Sequence, residues 1–321
     1  MNSIALAAGI GLAVAYAATP IVRSLAIRLD VVAHPGGRRL HARPTPLLGG
    51  VAMYIGFFTA VLAVVWLDKD LVINHQIWGL LIGGTLVAAV GVLDDKFELP
   101  GWVQALTILI AGGILVAFGT KIAYVTNPFR GGHLMWLGWI SIPATMLWML
   151  MVTKAVDCMD GMDGLAAGIS TIAAFTLMLM AIKSGSTHTF AMSAVLAAAL
   201  VGATIGFLRF NYPPAKIFMG TVGAQFLGFL LAGISVAGAF KIATLVAIAA
   251  PVLILGVPLF DTTFVVIRRV VSGRKINEAD TSHLHHRLVG MGMSQRQAIW
   301  CIYSLTFLLC GAAYALFYFV K

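Results

Sequence analysis

An all-α, polytopic transmembrane bundle of about ten helices, with its polar chemistry gathered on one face, is the fold class this sequence predicts. The first reason is composition: 60% of the 321 residues are hydrophobic and only 10% are charged, with a mean hydropathy of +0.96. A water-soluble domain carries about 25% charged residues, so that class is excluded. The second is distribution. The apolar residues fall into blocks near the roughly 17–25 residues that a helix needs to cross hydrocarbon, separated by short polar loops.

The blocks run 4–22, 47–67, 77–93, 102–118, 134–152, 165–182, 190–208, 217–240, 242–267 and 298–320. Ala15-Tyr16-Ala17-Ala18 in the first imitates a signal-peptide cleavage site. Only Met1, Asn2 and Ser3 precede it, however, and none is basic, so it is expected to stay as the first helix. Pro143, Pro251 and Pro258 lie inside blocks, where neighbouring helices or waters can satisfy the freed backbone groups. With no sizeable polar segment left over, residues 1–321 are expected to form a single integral membrane domain. Cys158, Cys301 and Cys310 have neither metal-site nor disulfide spacing.

Ten helices make nine connections, and the odd-numbered ones share a face. That face carries fifteen of the 21 Lys and Arg residues. The positive-inside rule therefore places it in the cytoplasm, with both termini outside. Topology and attraction to anionic lipid account for most of the net charge of +9. A nucleic-acid surface, which needs basic residues interleaved with aromatics, has little support. The acidic residues segregate independently: of twelve, only Asp68 and Asp70 fall on the outer face. Carboxylates near bilayer depth are costly and mark functional sites by default.

Each odd loop offers candidates. The first, Arg38-Arg39-Leu40-His41-Ala42-Arg43-Pro44-Thr45-Pro46-Leu47-Leu48-Gly49-Gly50, is stiffened by prolines. Its glycines let backbones approach where the second helix begins, while Arg38 and Arg39 suit a headgroup anchor. The second contains Asp94-Asp95, a pair that repels itself unless a cation such as Mg²⁺ intervenes, or unless it is simply a solvated helix end. The third is Lys154-Ala155-Val156-Asp157-Cys158-Met159-Asp160-Gly161-Met162-Asp163-Gly164. If helical, it puts Asp157, Asp160 and Asp163 within an arc of roughly 120°, which demands a counter-charge. The terminal Glu and spacing of an EF-hand are absent. The fourth, Arg209 to Gly223, offers Asn211 for base or ribose recognition and aromatic rings for stacking; its plain alternative is a proline-stiffened turn. The fifth ends Ser282-His283-Leu284-His285-His286-Arg287-Leu288. With no thiolate nearby, these histidines suit phosphate and proton chemistry better than zinc. Asp261 is read either as an ion-pair partner of Arg268 or Arg269 or as a catalytic group.

Five of these stretches, spread over nearly the whole chain, resemble the polyprenyl-phosphate N-acetylhexosamine-1-phosphate transferases of glycosyltransferase family 4. They are Pro46-Leu47-Leu48-Gly49-Gly50, Leu93-Asp94-Asp95, Asp160-Gly161-Met162-Asp163-Gly164-Leu165, Ile217-Phe218-Met219-Gly220 and His283-Leu284-His285-His286-Arg287-Leu288. The last is more similar to the branch that handles undecaprenyl phosphate and GlcNAc-1-phosphate than to the phospho-N-acetylmuramoyl-pentapeptide transferases, which have three consecutive histidines. The resemblance implies attack of a polyprenyl phosphate on the β-phosphorus of UDP-GlcNAc, releasing UMP, as the first membrane step of a cell-envelope polysaccharide such as lipopolysaccharide or teichoic acid. It implies Mg²⁺, or Mn²⁺ in its place, held by Asp94, Asp95 and Asp160. His283, His285 and His286 complete the catalytic set. Asp157, Asp163, Asn211, Phe218, Lys154 and Arg43 contact substrate. The expected partners are UDP-N-acetylhexosamine, polyprenyl phosphate, membrane lipid and, in a homodimer, a second copy. The expected location is the bacterial inner (plasma) membrane, with the active site cytoplasmic.

Three departures stand out. The family usually has Asn at positions 154 and 157, and Asp rather than Thr221 after Phe-Met-Gly; Ala224 also replaces a small hydroxyl residue. Either Asp157 restores the missing charge while Lys154 partners a carboxylate or phosphate, or the chain is a catalytically impaired member that binds carrier lipid or nucleotide sugar. A transporter would show internal repeats and midplane charges, and an intramembrane aspartyl protease a Gly-x-Gly-Asp pattern. Neither is present.

Overall fold

The computed structural model describes residues 2–33, 44–126, 134–185, 188–238, 246–273 and 283–320. Twelve helices dominate them: α1 (Asn2–Arg28), α2 (Gly49–Leu67), α3 (His75–Phe97), α4 (Gly101–Ala117), α5 (Ser141–Cys158), α6 (Leu165–Ser184), α7 (His188–Asn211), α8 (Gly220–Ala237), α9 (Val246–Ile254), α10 (Gly256–Val271), α11 (Leu284–Gly290) and α12 (Gln295–Val320). Two short antiparallel ladders join loop ends. β1 (Val32–Ala33) pairs with β2 (Thr45–Pro46), and β3 (Tyr124–Thr126) with β4 (Leu134–Trp136).

Among the described residues, eight helices are long and apolar enough to cross a membrane, as a multi-pass membrane protein requires. The expected ten differ in two places. Helix α4, at 17 residues, falls just short of the other spans. The block at 242–267 is divided at Leu255 into α9 and α10. Proline explains the bend: Pro258 has no N–H to offer the Ile254 carbonyl, and the Cys310 thiol approaches that oxygen instead, at 3.7 Å. The bonds Leu255 N to Pro251 O and Leu259 N to Leu255 O, both 3.0 Å, carry the backbone around it.

Helix α8 forms the axis, with residues 222–236 buried throughout. Helices α2, α3 and α5 pack around it, α1 pairs with α7 on one flank, and α12 lies against α6 and α9 on the other. Large apolar side chains such as Ile21, Trp66, Phe307 and Phe319 face outward, as lipid demands. The predicted close approach at Gly49-Gly50 is present: a Cβ on Gly50 would lie 2.2 Å from Gly223 N. Both glycine N–H groups donate to the carbonyls of Phe218 and Met219, at 2.9 and 2.8 Å. This junction fixes the start of α2 against the start of α8. At the opposite end of α2, Ser3 donates to Asp68 at 2.5 Å, so the polar termini of α1 and α2 meet far from the candidate site.

Candidate active site

The ends of α3, α5, α8 and α10 meet the turn between α5 and α6 at one end of the bundle. Helix α3 delivers the adjacent pair. Asp94 is buried, and its Oδ1 accepts the Gln104 amide at 2.7 Å. Asp95 points the other way, and its carboxylate accepts the N–H groups of Thr221 at 2.7 Å and Val222 at 3.3 Å. A carboxylate thus sits at the partly positive N-terminus of α8, but it comes from α3 rather than from position 221. Gly220 makes this contact feasible. Its φ of +70° suits glycine, and a Cβ there would lie 2.2 Å from Asp95 Oδ2.

The acidic stretch after α5 does not continue as a helix. Residues 159–164 form a turn, with Met159 and Asp160 donating three residues back at 3.1 Å each and Gly164 left-handed at φ +74°. The expected helical arc of three aspartates is therefore replaced by three separate settings. Asp157, still on α5, pairs with Lys154 at 2.5 Å. Lys154 also donates to Gln104 Oε1 at 2.8 Å, and Gln225 donates to Gln104 and to Asp157 at 3.0 and 3.3 Å. Neither Asp157 nor Lys154 thus carries a bare charge; each is spent on the other. Asp163 accepts the Ala215 N–H at 2.9 Å. The Asp160 carboxylate takes no hydrogen bond from a described residue. Burial, and then the charges of Asp157, Asp95 and Asp163, hold it well above the usual carboxylate range.

Asn211 joins the turn to the next loop. Its Oδ1 accepts Gly164 N–H at 3.0 Å and its Nδ2 donates to the Ile217 carbonyl at 2.9 Å. With the residue only 1% exposed, the structure gives this amide a backbone task on both ends. Phe218 bonds through its backbone to Pro46 and Gly49. Arg296 and Arg23 clamp the same loop through the carbonyls of Pro213 and Lys216, at 3.1 and 3.0 Å.

The histidines arrive on α11, a short helix not anticipated in the sequence. His285 is 1% exposed, and a Cβ on Gly161 would lie 2.4 Å from its Nε2, so the ring sits directly against the acidic turn. Among the described residues, neither ring nitrogen has a hydrogen-bond partner. Burial, and then His286 and His283, push its pKa down to about 4, so the ring is neutral near pH 7. A buried imidazole without partners costs about 1–3 kcal/mol, and such orphans occur where a ligand supplies the bonds. His286 packs 4.3 Å from His285 between ring centroids, and His283 stacks on it at 5.8 Å. Asp261 does not wait for an arginine: its carboxylate is taken by His283 and by the Leu284 N–H. Arg43 lies outside the described residues.

Sequence reasoning missed Gln104, Gln225 and the partner of Asp261. The glutamines had a signal, since an amide inside an apolar block is tolerated only when hydrogen-bonded. Among the described residues no three acidic, histidine or cysteine side chains stand close enough for a preformed metal cage. That donor set still fits Mg²⁺, which is usually held by one or two carboxylates with water and substrate phosphates.

The family model for glycosyl transferase family 4 matches residues 77–239, which include both aspartate motifs and the start of α8. The chain is 37% identical over 298 residues to a Bacillus subtilis protein named "Probable undecaprenyl-phosphate N-acetylglucosaminyl 1-phosphate transferase", covering 93% of this chain and 80% of that one. It is 33% identical to the "Decaprenyl-phosphate N-acetylglucosaminephosphotransferase" of Mycolicibacterium smegmatis and 31% identical to the protein of the same name in Mycobacterium leprae. Those matches cover 95% of this chain in both cases, and 80% and 82% of the two relatives.

Proposed function

The chain belongs to glycosyl transferase family 4, and from that premise we propose that it transfers GlcNAc-1-phosphate from UDP-GlcNAc to undecaprenyl or another polyprenyl phosphate, releasing UMP. The observation that carries the proposal is the neutral, unpartnered His285 lying against the turn that holds Asp160. Together they bring a buried imidazole and a carboxylate to one place, the pair of groups that a phosphate and its counter-ion call for. The acceptor and donor classes come from what the relatives are named for.

An oxygen of the lipid phosphate attacks the β-phosphorus of the sugar nucleotide. The bond from that phosphorus to the bridging oxygen breaks, and UMP leaves with the electron pair. Such transfers depend on positioning and charge stabilisation more than on covalent chemistry by the protein. When bound, Mg²⁺ (or Mn²⁺) neutralises charge on the diphosphate, and Asp160 with Asp94 or Asp95 would hold it. The histidines bind phosphate oxygens, His285 as a neutral donor or acceptor. Asp163 and Asn211 keep the loop at 212–219 in register with the turn, so that Phe218 lies at the nucleotide end. The basic bias of the same face supports a cytoplasmic site with both termini outside, in a bacterial plasma membrane. The product would open the assembly of a cell-envelope polysaccharide.

Purified protein supplied with undecaprenyl phosphate, and with UDP-GlcNAc or a second UDP-HexNAc, is expected to release UMP only when Mg²⁺ is present. The Thr221→Asp variant run beside it tests whether the helix end already served by Asp95 needs a second carboxylate. No UMP from the unaltered chain under any of these conditions would refute the assignment.

A further inference from the structure

We propose that Asp261 is a positioning residue for this reaction, fixing the tautomer and ring orientation of His283 so that Nε2 faces the diphosphate. The inference rests on the site being a phosphate-transfer site, as proposed above. Asp261 lies in the first half of α10, just past the proline bend, and is buried. Its Oδ2 is 2.7 Å from His283 Nδ1, and its Oδ1 accepts the Leu284 N–H, also at 2.7 Å. One carboxylate therefore holds both the first residue of α11 and the ring that precedes it. An ionised carboxylate can only accept, so Nδ1 carries a proton, and Nε2, on the far edge of the ring, is left to take a proton from substrate or, once the ring is charged, to donate to a phosphate oxygen.

The consequence runs along the stack. The His283 and His285 planes differ by 14°, and His285 rests on Gly161 beside Asp160. The ring that Asp261 grips is thus the outer member of a layer that ends at the acidic turn. A carboxylate behind a histidine also stabilises positive charge on the ring, which strengthens its hold on a phosphate oxygen. A helix cap alone would need only one of the two oxygens. The second is aimed at an imidazole 22 residues away in sequence.

Asp261→Asn separates the two duties. Its amide oxygen still accepts the Leu284 N–H, while its NH₂ now faces Nδ1 and forces the proton to Nε2. The expected result is a fall in kcat of about 10–100-fold, the usual cost of removing a partner that orients a functional histidine, with KM for UDP-GlcNAc changed less than about threefold. A double variant, Asp261→Asn with His283→Asn, should be no slower than His283→Asn alone, because the change to Asn keeps the Leu284 bond and acts on the reaction only through that ring. Independently of activity, ¹⁵N NMR of histidine-labelled full-length protein, with the His283 signals assigned by their loss in His283→Asn, should show a protonated Nδ1 in the unaltered chain. An unprotonated Nδ1 there overturns the proposal, even if Asp261→Asn does not fold. So does an unchanged kcat in Asp261→Asn, or a double variant slower than His283→Asn by the full Asp261→Asn factor. Absence of turnover in the unaltered chain would sink the reading of the reaction itself, and the NMR measurement would then still decide whether Asp261 sets His283.

Discussion

Replacing Asn211 by Ala should destabilise the fold before it changes nucleotide binding. The side chain spans two backbone groups that belong to different loops, the Gly164 N–H and the Ile217 carbonyl. Both contacts are buried, so no water substitutes when the amide is removed. Each buried polar group left without a partner costs about 1–3 kcal/mol, which puts the sum at roughly 2–6 kcal/mol before any cavity is counted. On the scale of about 2 °C per kcal/mol for larger domains, the thermal midpoint of the detergent-purified, nucleotide-free protein should fall by at least about 4 °C. Asn211→Asp should fall as well. It keeps an acceptor for Gly164 but sets a carboxylate against the Ile217 oxygen. The rival account is a direct uridine contact. A midpoint within about 1 °C of the unaltered chain, together with a tenfold rise in KM for UDP-GlcNAc, would refute the structural reasoning.

Four further outcomes are expected. Lys154→Asn should lower thermal stability by stranding Asp157, whereas the double change Lys154→Asn with Asp157→Asn should recover most of it; the thermal-shift double-mutant cycle closed by Asp157→Asn should show a coupling of about 0.5–3 kcal/mol. Gly220→Ala should lose both stability and turnover, since a left-handed non-glycine residue costs roughly 1–2 kcal/mol and the new Cβ displaces Asp95. His285, with its folded pKa at about 4 against roughly 6.5 unfolded, leaves the unfolded chain binding more protons between those values. Stability should therefore fall as pH drops through that window, and midpoints measured from neutral pH to about pH 5 should fall less steeply in His285→Asn. Asp160→Asn should abolish UMP release yet raise the thermal midpoint of the nucleotide-free protein, because it removes a crowded carboxylate whose folded pKa is raised; a lowered midpoint would count against that setting.

What the sequence made legible was whatever depends on composition and local spacing. Hydrophobic blocks located the helices because a membrane span is a matter of length. Gly49-Gly50 announced a close crossing, and Gly223 is what it meets. The motifs pointed to one end of the bundle, where the aspartates and histidines do converge. What stayed hidden were pairings between distant segments. Nothing in the spacing joins Asp261 to His283, or Gln104 to Lys154 and Gln225 across three helices. The failed helical arc has a local cause that could have been weighed: Gly161 and Gly164 lie within the run, and glycine favours a turn over a helix interior. The bend at Leu255 has a local cause too, since Pro258 cannot donate to the Ile254 carbonyl.

The three unusual positions of this chain make physical sense together. A threonine at 221 offers no carboxylate at the start of α8, but the positive end of that helix is not left bare, because Asp95 occupies it through two backbone bonds. An aspartate at 157 adds a negative charge, but Lys154 one turn earlier neutralises it at 2.5 Å, Gln104 ties Lys154 to Asp94, and Gln225 bonds to both Gln104 and Asp157. Asp163 is committed to the Ala215 N–H. Of the clustered carboxylates, Asp160 is the one with no hydrogen bond from a described residue, and burial, then its acidic neighbours, raise its pKa. Its oxygens are therefore the ones left open to an incoming cation, which would also restore its charge. Asp157 was expected to replace the charge missing at 221; the geometry instead makes it part of a neutral strut. In the proposed reaction a divalent ion would be held by Asp160 with Asp94 or Asp95 and by the substrate phosphates, the low-carboxylate mode of binding that suits Mg²⁺.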